Sequence, residues 1–244
     1  MSSSESSAGV PLSQEPPIGL SVGEKRQRWF EVCLVLLVAC GSPLMNALYL
    51  LNYGPEAMPH ISTLRWTFGI VQELIGLAML GYVLSRSGRR IANLGLRWSY
   101  QDIGVGLLLA CISYATYFVG SLFVQVAHYA IYGSYSYGPS GNDFFAHPSV
   151  VVIPFTLLNP FFEELIVRAY LMTEVVQLTG SAALAVVVSV LVQSSYHLYY
   201  GWVGAISIAF SFLPLAIYFA RWKRALPIVV AHGILDIYGL IRIW

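Results

Sequence analysis

Charged residues are scarce in this chain, and their scarcity excludes an ordinary soluble domain. Asp, Glu, Lys and Arg make up 10% of the 244 residues, and 57% are hydrophobic, whereas soluble globular proteins carry about 25% charged residues. A formal net charge of +1 gives no basic surface for nucleic acid. We therefore predict an integral membrane protein that lies in the lipid bilayer and binds no nucleic acid.

Cysteines and the common hydrolase signatures are also few or absent. The three cysteines, Cys33, Cys40 and Cys111, fall inside predicted membrane spans and form neither a disulfide framework nor a metal-binding pair. The sequence contains no Gly-x-Ser-x-Gly elbow and no His-Glu-x-x-His. A serine hydrolase of the elbow type and a zincin are therefore excluded.

The apolar runs predict an all-α fold, a polytopic integral membrane bundle of about seven transmembrane helices. A spanning helix needs about 20 mainly apolar residues, and the predicted spans cover about residues 29–51, 63–84, 103–126, 149–178, 182–197, 202–219 and 227–241. An eighth helix is an open alternative if residues 89–99 dip into the bilayer. Residues 1–24, rich in Ser, Pro and Gly, are predicted to be a disordered tail, and residues 25–244 a single helical domain.

Basic residues indicate the orientation of this bundle. Ten of the thirteen Lys and Arg residues fall in three segments: three at residues 25–28, four in residues 86–97 and three in residues 221–224. Seven spans place these segments on one side of the membrane, and basic loops favour the cytoplasm. We predict a multi-pass protein of the inner or plasma membrane with a cytoplasmic N-terminus.

A cluster of charge in the fourth span points to a function beyond scaffolding. Glu163, Glu164 and Arg168 stand within six residues between long apolar runs, and a charge at the bilayer centre costs roughly 2.5–3.5 kcal/mol. Helical spacing pairs Glu164 with Arg168 at i and i+4, whereas Glu163 points away from the arginine. A carboxylate without a local partner is a candidate general base.

Asn159 and Pro160 stand just before this cluster and leave two alternatives open. Asparagine is a good helix cap and proline suits the first helical position, so a fresh helix could begin here and place Glu163 in its first turns. The other interpretation is a proline kink in one transmembrane helix.

Two histidines and an aspartate lie at membrane depth in later spans. His197 ends the fifth span, and His232 and Asp236 stand at i and i+4 in the seventh, on one helical face. Because such groups are costly when scattered through lipid, we expect them to meet in one hydrated cavity. There Glu163 would take a proton from water, while a histidine or Asp236 would stabilise the oxyanion or protonate the leaving amine.

The second span carries Arg65, Gln72 and Glu73. We expect these polar residues to pair inside the bundle, because unpaired polar groups are costly in the membrane. The alternative is that they line a path for substrate.

These residues together resemble the CAAX protease and bacteriocin-processing (CPBP, or Abi) family of intramembrane proteases, typified by the Rce1-type CAAX protease. The family's marks are Glu-Glu-x-x-x-Arg, Phe-x-x-x-His and His-x-x-x-Asn/Asp on successive helices. The first stands at residues 163–168 and the third at His232 and Asp236. The second is present only as His197, because Gln193 takes the place of the phenylalanine. The resemblance covers about residues 150–240, the predicted protease core.

The resemblance implies a glutamate-dependent endopeptidase that cleaves a membrane-anchored protein or peptide in CAAX-type or related processing. Glu163 would be the activating base with His197 as its helper, His232 and Asp236 would stabilise the oxyanion, and the Glu–Arg pair would support them. The implied chemistry uses no cofactor and no metal. The alternative is zinc held by Glu163, His197, His232 and Asp236.

Two other classes of function stay open. A non-proteolytic immunity or scaffold protein could retain the fold, although a scaffold has no need of costly buried charges. A proton-coupled transporter could use Glu163 and the histidines as a relay, although the inverted repeats common in that class are not visible in this sequence.

Overall fold

Helices form all the regular secondary structure in the residues that this computed structural model describes, which are 11–12, 19–54, 63–136 and 150–243. The predicted all-α membrane bundle is confirmed for these residues. The predicted disordered tail lies largely outside them, at residues 1–10 and 13–18. Within the described part, Leu12 is fully buried in the core.

Eight α-helices, two 3₁₀ turns and one π-helix make up the described structure. The π-helix covers Glu164–Tyr170 and joins two α-helices into one continuous helix. The 3₁₀ turns cover Ile91–Leu94 and Leu198–Tyr200. In chain order the α-helices are α1 (Val22–Tyr53), α2 (Thr63–Arg86), α3 (Tyr100–Tyr132), α4 (Val152–Glu163), α5 (Leu171–Thr179), α6 (Ala182–Ser195), α7 (Gly201–Trp222) and α8 (Ala225–Ile243).

Five helical segments in the described residues are long and apolar enough to cross a membrane. They are α1, α2, α3, α7 with the turn before it, and α8. The continuous helix made of α4, the π-helix and α5 corresponds to the predicted fourth span, and α6, the predicted fifth, is a shorter apolar helix of 14 residues. Between residues 89 and 99 the chain forms a four-residue 3₁₀ turn, so the alternative of an eighth membrane helix there is not realised.

The helix from Val152 to Thr179 is the centre of the bundle. All seven residues of its π-helical part are buried. Around it, α2 and α8 pack against α4, α6 packs against α5, and α3 packs against α7 and α8. The segment that carries the paired glutamates is therefore shielded by helices from both halves of the chain.

The basic segments before α1 and after α2 meet on one buried carboxylate. Glu174, on α5, is 1% exposed. Its side-chain oxygens lie 3.4 Å from Nη1 of Arg28 and 2.5 Å from Nη1 of Arg89. Gln177, one turn further along α5, accepts a hydrogen bond from Arg28 at 2.6 Å. We call Glu174 with Arg28 and Arg89 the anchor cluster.

The third basic segment lies beside the second. The backbone N–H of Ala225 donates to the carbonyl oxygen of Gly95 at 3.0 Å. Gly95 has a φ of +85°, a left-handed conformation that favours glycine, and a Cβ there would collide with the Lys223 carbonyl. The prediction that the three basic segments share one end of the bundle is confirmed, while their cytoplasmic location stays a prediction.

Pro160 lies inside α4 and does not open a new helix. The helix runs from Val152 through Pro160 to Glu163 and continues into the π-helix, so the alternative of a fresh helix start is wrong. Asn159 does not cap a helix; its side chain donates to Asp236 on α8.

Candidate active site

The two adjacent glutamates stand where α4 passes into the π-helix, and they turn to different neighbours. Glu163 Oε2 accepts a hydrogen bond from Nε2 of Gln193 on α6 at 2.6 Å. Glu164 Oε2 lies 3.2 Å from Nε of Arg168, and its Oε1 lies 2.7 Å from Nδ1 of His232. The predicted pairing of Glu164 with Arg168 is confirmed. Adjacent residues of a helix point about 100° apart, so one carboxylate faces α6 and the other faces α8, at the start of a π-helix, a feature frequent at functional sites.

Arg168 is a fully buried cation. Its side chain is 0% exposed, and its Cζ lies 4.7 Å from the ring centre of Phe212 on α7, a cation–π contact. Neither Nη atom has a hydrogen-bond partner among the described residues. Arg168 and Glu164 thus form a desolvated ion pair, in which removal of one partner would leave the other charge uncompensated.

His232, on α8, is surrounded by three carboxylates. Its Nδ1 lies against Glu164, and its Nε2 lies 3.4 Å from Oδ1 of Asp236 and 3.9 Å from Oε2 of Glu163. Asp236 Oδ2 accepts a hydrogen bond from the Asn159 amide at 3.1 Å. Because a carboxylate accepts the Nδ1 proton, the ring is fixed with Nε2 directed at Glu163 and Asp236.

His197 reaches the site from a turn, and the helix before it is shorter than predicted. Helix α6 ends at Ser195. His197 Nδ1 lies 2.8 Å from the carbonyl oxygen of Gln193, and its ring centre lies 5.4 Å from that of Phe212. In the described part of the chain His197 makes no ion pair with Glu163. Gln193 links the two instead, through its amide to Glu163 and its carbonyl to His197.

One cavity of about 1280 Å³ opens between these helices. It is lined by all four residues that were predicted to be catalytic, Glu163, His197, His232 and Asp236. Small-molecule pockets measure roughly 300–1,000 Å³, so this cavity has room for an extended peptide. The structure brings the four side chains from three separate parts of the chain to one place, as the cost of isolated polar groups in lipid requires.

Two polar residues that hold the site were not recognised in the sequence. Gln193 stands where the family resemblance expects a phenylalanine, yet it donates to Glu163. Asn159 is a helix cap in one of the two alternatives predicted from the sequence, yet it binds Asp236. Each stands four residues before a site residue, His197 and Glu163 respectively, and this i, i+4 spacing was the available signal.

The polar residues of α2 do not pair with one another. Arg65 donates to Oδ1 of Asn46 at 2.8 Å, and Gln72 donates to the carbonyl oxygen of Val38. Glu73 is 3% exposed, lines the cavity, and its Oε2 has no hydrogen-bond partner in the described residues. Arg65 and Gln72 therefore pair inside the bundle as expected, and Glu73 lies on the cavity wall, the position that the alternative of a substrate path describes.

The described residues do not form a ready-made metal site. Within the described ranges, no group of three or more His, Cys, Asp or Glu side chains is placed to hold a metal ion. Glu163 Oε2 bonds to an amide, and Nδ1 of His232 bonds to Glu164. The expectation of no metal and the zinc alternative both stay predictions.

Residues 145–238 match a family model described as "Type II CAAX prenyl endopeptidase Rce1-like". This segment, 94 of the 244 residues, is similar to the Rce1-like family. It contains every residue predicted for the site, and α1 to α3 lie outside the match. The resemblance to the CPBP, Rce1-type family is confirmed for this part of the chain. No curated protein and no solved structure matches the chain.

The similarity to the Rce1-like family and the apolar helices together show a membrane protein. It is an integral, multi-pass membrane protein. The Rce1-like family is a peptidase family, which supports a protease at the family level and a substrate associated with the membrane.

Proposed function

We propose that this protein is an intramembrane endopeptidase in which Glu163 activates water to cleave a membrane-anchored protein or peptide, in CAAX-type or related processing. One observation carries the proposal. Glu163 is a buried carboxylate on the wall of a large cavity, and no Lys or Arg of the described residues lies within ion-pair distance of it. A carboxylate without a lysine or arginine partner retains the basicity that water activation requires.

In the proposed reaction, water lies between Glu163 and the carbonyl carbon of the scissile amide. Glu163 takes one proton from the water as its oxygen bonds to that carbon. Gln193 donates to Oε2 of Glu163 and holds the carboxylate in one orientation, so that Oε1 is left for the water. We propose that His197 helps Glu163 indirectly. Its ring bonds to the backbone carbonyl oxygen of Gln193, the residue whose side chain holds Glu163.

The carbonyl oxygen becomes an oxyanion that needs a donor. His232 with protons on both ring nitrogens would donate Nδ1–H to Glu164 and Nε2–H into the cavity, where the oxyanion forms. Asp236, fixed by Asn159, holds the ring from the cavity side. The buried Glu164–Arg168 pair supports this arrangement, and we propose that the reaction needs no metal or cofactor.

The proposed substrate is an extended chain with an apolar attachment near its C-terminus. The family description names prenylated CAAX sequences, and the cavity wall includes Trp66, Phe155 and Phe162 beside the polar groups. Apolar and aromatic side chains of this kind favour a lipid-linked or hydrophobic segment.

The test compares cells that carry the wild-type protein with cells that carry Glu163→Gln. Proteomics of membrane-anchored C-terminal tails should show unprocessed forms accumulating in the variant at equal protein level. Glu31→Gln is the matched control, because Glu31 bonds to Gln27 on α1, away from the cavity. Unchanged processing in Glu163→Gln would contradict the proposal and is the result expected of a scaffold.

Two additional arms separate the remaining alternatives. A transport function predicts pH-driven flux in proteoliposomes that depends on Glu163, whereas the protease predicts none. A chelator should leave the cleavage rate of the purified protein unchanged. Loss of activity that added Zn²⁺ restores would instead favour the zinc alternative.

A further inference from the structure

We propose that Glu73 is a further catalytic residue of this cavity, a neutral carboxylic acid that protonates the amine leaving from the cleaved bond. The inference rests on the proposed peptidase function. It assigns the protonation of the leaving amine, a step that the reaction proposed above gives to no residue, and Glu73 lies outside the residues that match the family model.

Two glycines allow α2 to pack closely against α4 and determine where Glu73 lies along that helix. A Cβ at Gly69 would lie 2.8 Å from a ring carbon of Phe155, and a Cβ at Gly76 would lie 2.5 Å from a ring carbon of Phe162. Gly69 and Gly76 are seven residues apart, and so are Phe155 and Phe162. The two helices therefore run in the same direction, with each residue of α2 beside the corresponding residue of α4. The absence of side chains at the glycines allows the close approach.

Glu73 lies on the same face of α2, four residues after Gly69 and three before Gly76. Because Gly69 lies beside Phe155 and Gly76 beside Phe162, Glu73 lies beside Asn159, midway between the two phenylalanines. Asn159 itself binds Asp236. The side chain of Glu73 therefore enters the cavity beside the polar groups of α4 and α8.

The surroundings of Glu73 suit a proton donor. It is 3% exposed and its Oε2 has no partner in the described residues, and it is close enough to Glu163, Asp236 and His232 for electrostatic interaction. Burying an ionised carboxylate without a partner is costly, and a second negative charge near Glu163 adds to that cost. The proton on Glu73 removes both penalties and is available for transfer.

The proposed step completes the hydrolysis with its atoms in balance. Hydroxide from the activated water bonds to the carbonyl carbon, and Glu163 holds the remaining proton. As the C–N bond breaks, the Glu73 carboxyl gives its proton to the nitrogen, which leaves as an amine. The proton on Glu163 then passes through cavity water to Glu73, so that one water is consumed and both side chains return to their starting states.

A pair of substrates distinguishes a proton donor from a structural residue. The first is a quenched fluorescent peptide with a prenylated cysteine followed by three residues, and the second replaces the scissile amide by an ester. An amine cannot leave without a proton, whereas an alcohol leaves far more readily. Glu73→Gln should lower kcat for the amide by about 10²- to 10⁴-fold with KM little changed, and should largely spare the ester.

Three variants accompany this measurement. Glu73→Asp should recover part of the amide activity, because it restores a carboxyl one methylene shorter. Glu31→Gln should cleave both substrates like the wild type. Glu163→Gln should lose both, because ester and amide alike need the activated water. Thermal unfolding of each purified variant reports whether the fold is retained.

The outcomes separate this inference from the function on which it rests. Equal loss of ester and amide cleavage in Glu73→Gln, or no loss of either, overturns the role of Glu73 and leaves the peptidase standing if Glu163→Gln is inactive. Cleavage of both substrates by Glu163→Gln, or of neither by the wild type, overturns the proposed function and this inference with it.

Discussion

Two buried glutamates on one continuous helix have opposite surroundings. Glu174 is 1% exposed and Glu163 is 6% exposed, so both are shielded from solvent. Glu174 contacts two arginines in the anchor cluster, whereas Glu163 bonds to the neutral amide of Gln193. A carboxylate compensated by cations stabilises the fold, and a carboxylate left without them stays available for chemistry.

Glu163→Gln, which changes the reactive glutamate of the two, should have the largest effect. Glu163→Gln keeps the shape of the side chain but removes the base, so kcat should fall by about 10⁴-fold. The unfolding temperature should stay within a few degrees of the wild type, because Gln193 can still bond to the new amide. Steady-state cleavage by the purified protein measures kcat, and thermal unfolding measures the unfolding temperature. A stable variant with more than a tenth of wild-type kcat would contradict the role of base.

Arg168→Leu should have the next largest effect, and on stability. It leaves Glu164 buried without its cation, and breaking a buried pair in this way costs about 3–5 kcal/mol. The double variant Glu164→Leu with Arg168→Leu should recover part of that loss, because no charge is left uncompensated. Denaturant unfolding in detergent compares the single and double variants. Additive losses in the double variant would show that the two side chains are not coupled.

Glu174→Gln tests the anchor cluster and should give the reverse of Glu163→Gln. It weakens contacts to Arg28 and Arg89, and a hydrogen bond to a charged group contributes about 1.5–3 kcal/mol. The free energy of unfolding should fall by about that amount, while kcat per folded molecule stays unchanged. A lower kcat at full stability would mean that this end of the helix takes part in the reaction.

Gln193→Leu tests the neutral partner of Glu163 and should have the smallest effect of the series. It removes the amide that orients Glu163, and water can replace the lost hydrogen bond in a hydrated cavity. We expect kcat to fall about tenfold, equivalent to about 1.4 kcal/mol, with KM unchanged. Gln193→Asn is the control that keeps the amide, on a side chain one methylene shorter. A wild-type kcat in Gln193→Leu would exclude a positioning role.

The sequence predicts the features of this molecule that depend on neighbours in the chain. Long apolar runs indicate membrane helices because each span must satisfy its own backbone groups in lipid. The pairing of Glu164 with Arg168 follows from i, i+4 spacing alone. Helix ends are less certain: α3 runs from Tyr100 to Tyr132, beyond the predicted 103–126, because polar residues near the interface continue the helix.

The contacts of Glu163 and Glu73 depend on packing and could not be derived from local pattern. Gln193 stands 30 residues after Glu163, and the packing of α6 determines that they meet. Glu73 lines the cavity because two glycines allow α2 to approach α4. Helical periodicity also predicts an α-helix through Glu164–Tyr170, where the structure has a π-helix, because hydrogen-bond register leaves no mark in the apolar pattern.

The π-helix gives one stretch of this helix a residue in surplus. A π turn holds about one residue more than an α turn, because its hydrogen bonds join residues five apart instead of four. Loss of one residue from Glu164–Tyr170 would therefore let the segment close to an α-helix with little rotation of α5 against α4. A deletion within α4 or at the start of α5 would instead rotate the helix beyond it by about 100° and turn Glu174 away from its two arginines. The π segment is thus the part of the helix where a residue can be lost with the reactive and the supporting carboxylate both left in place.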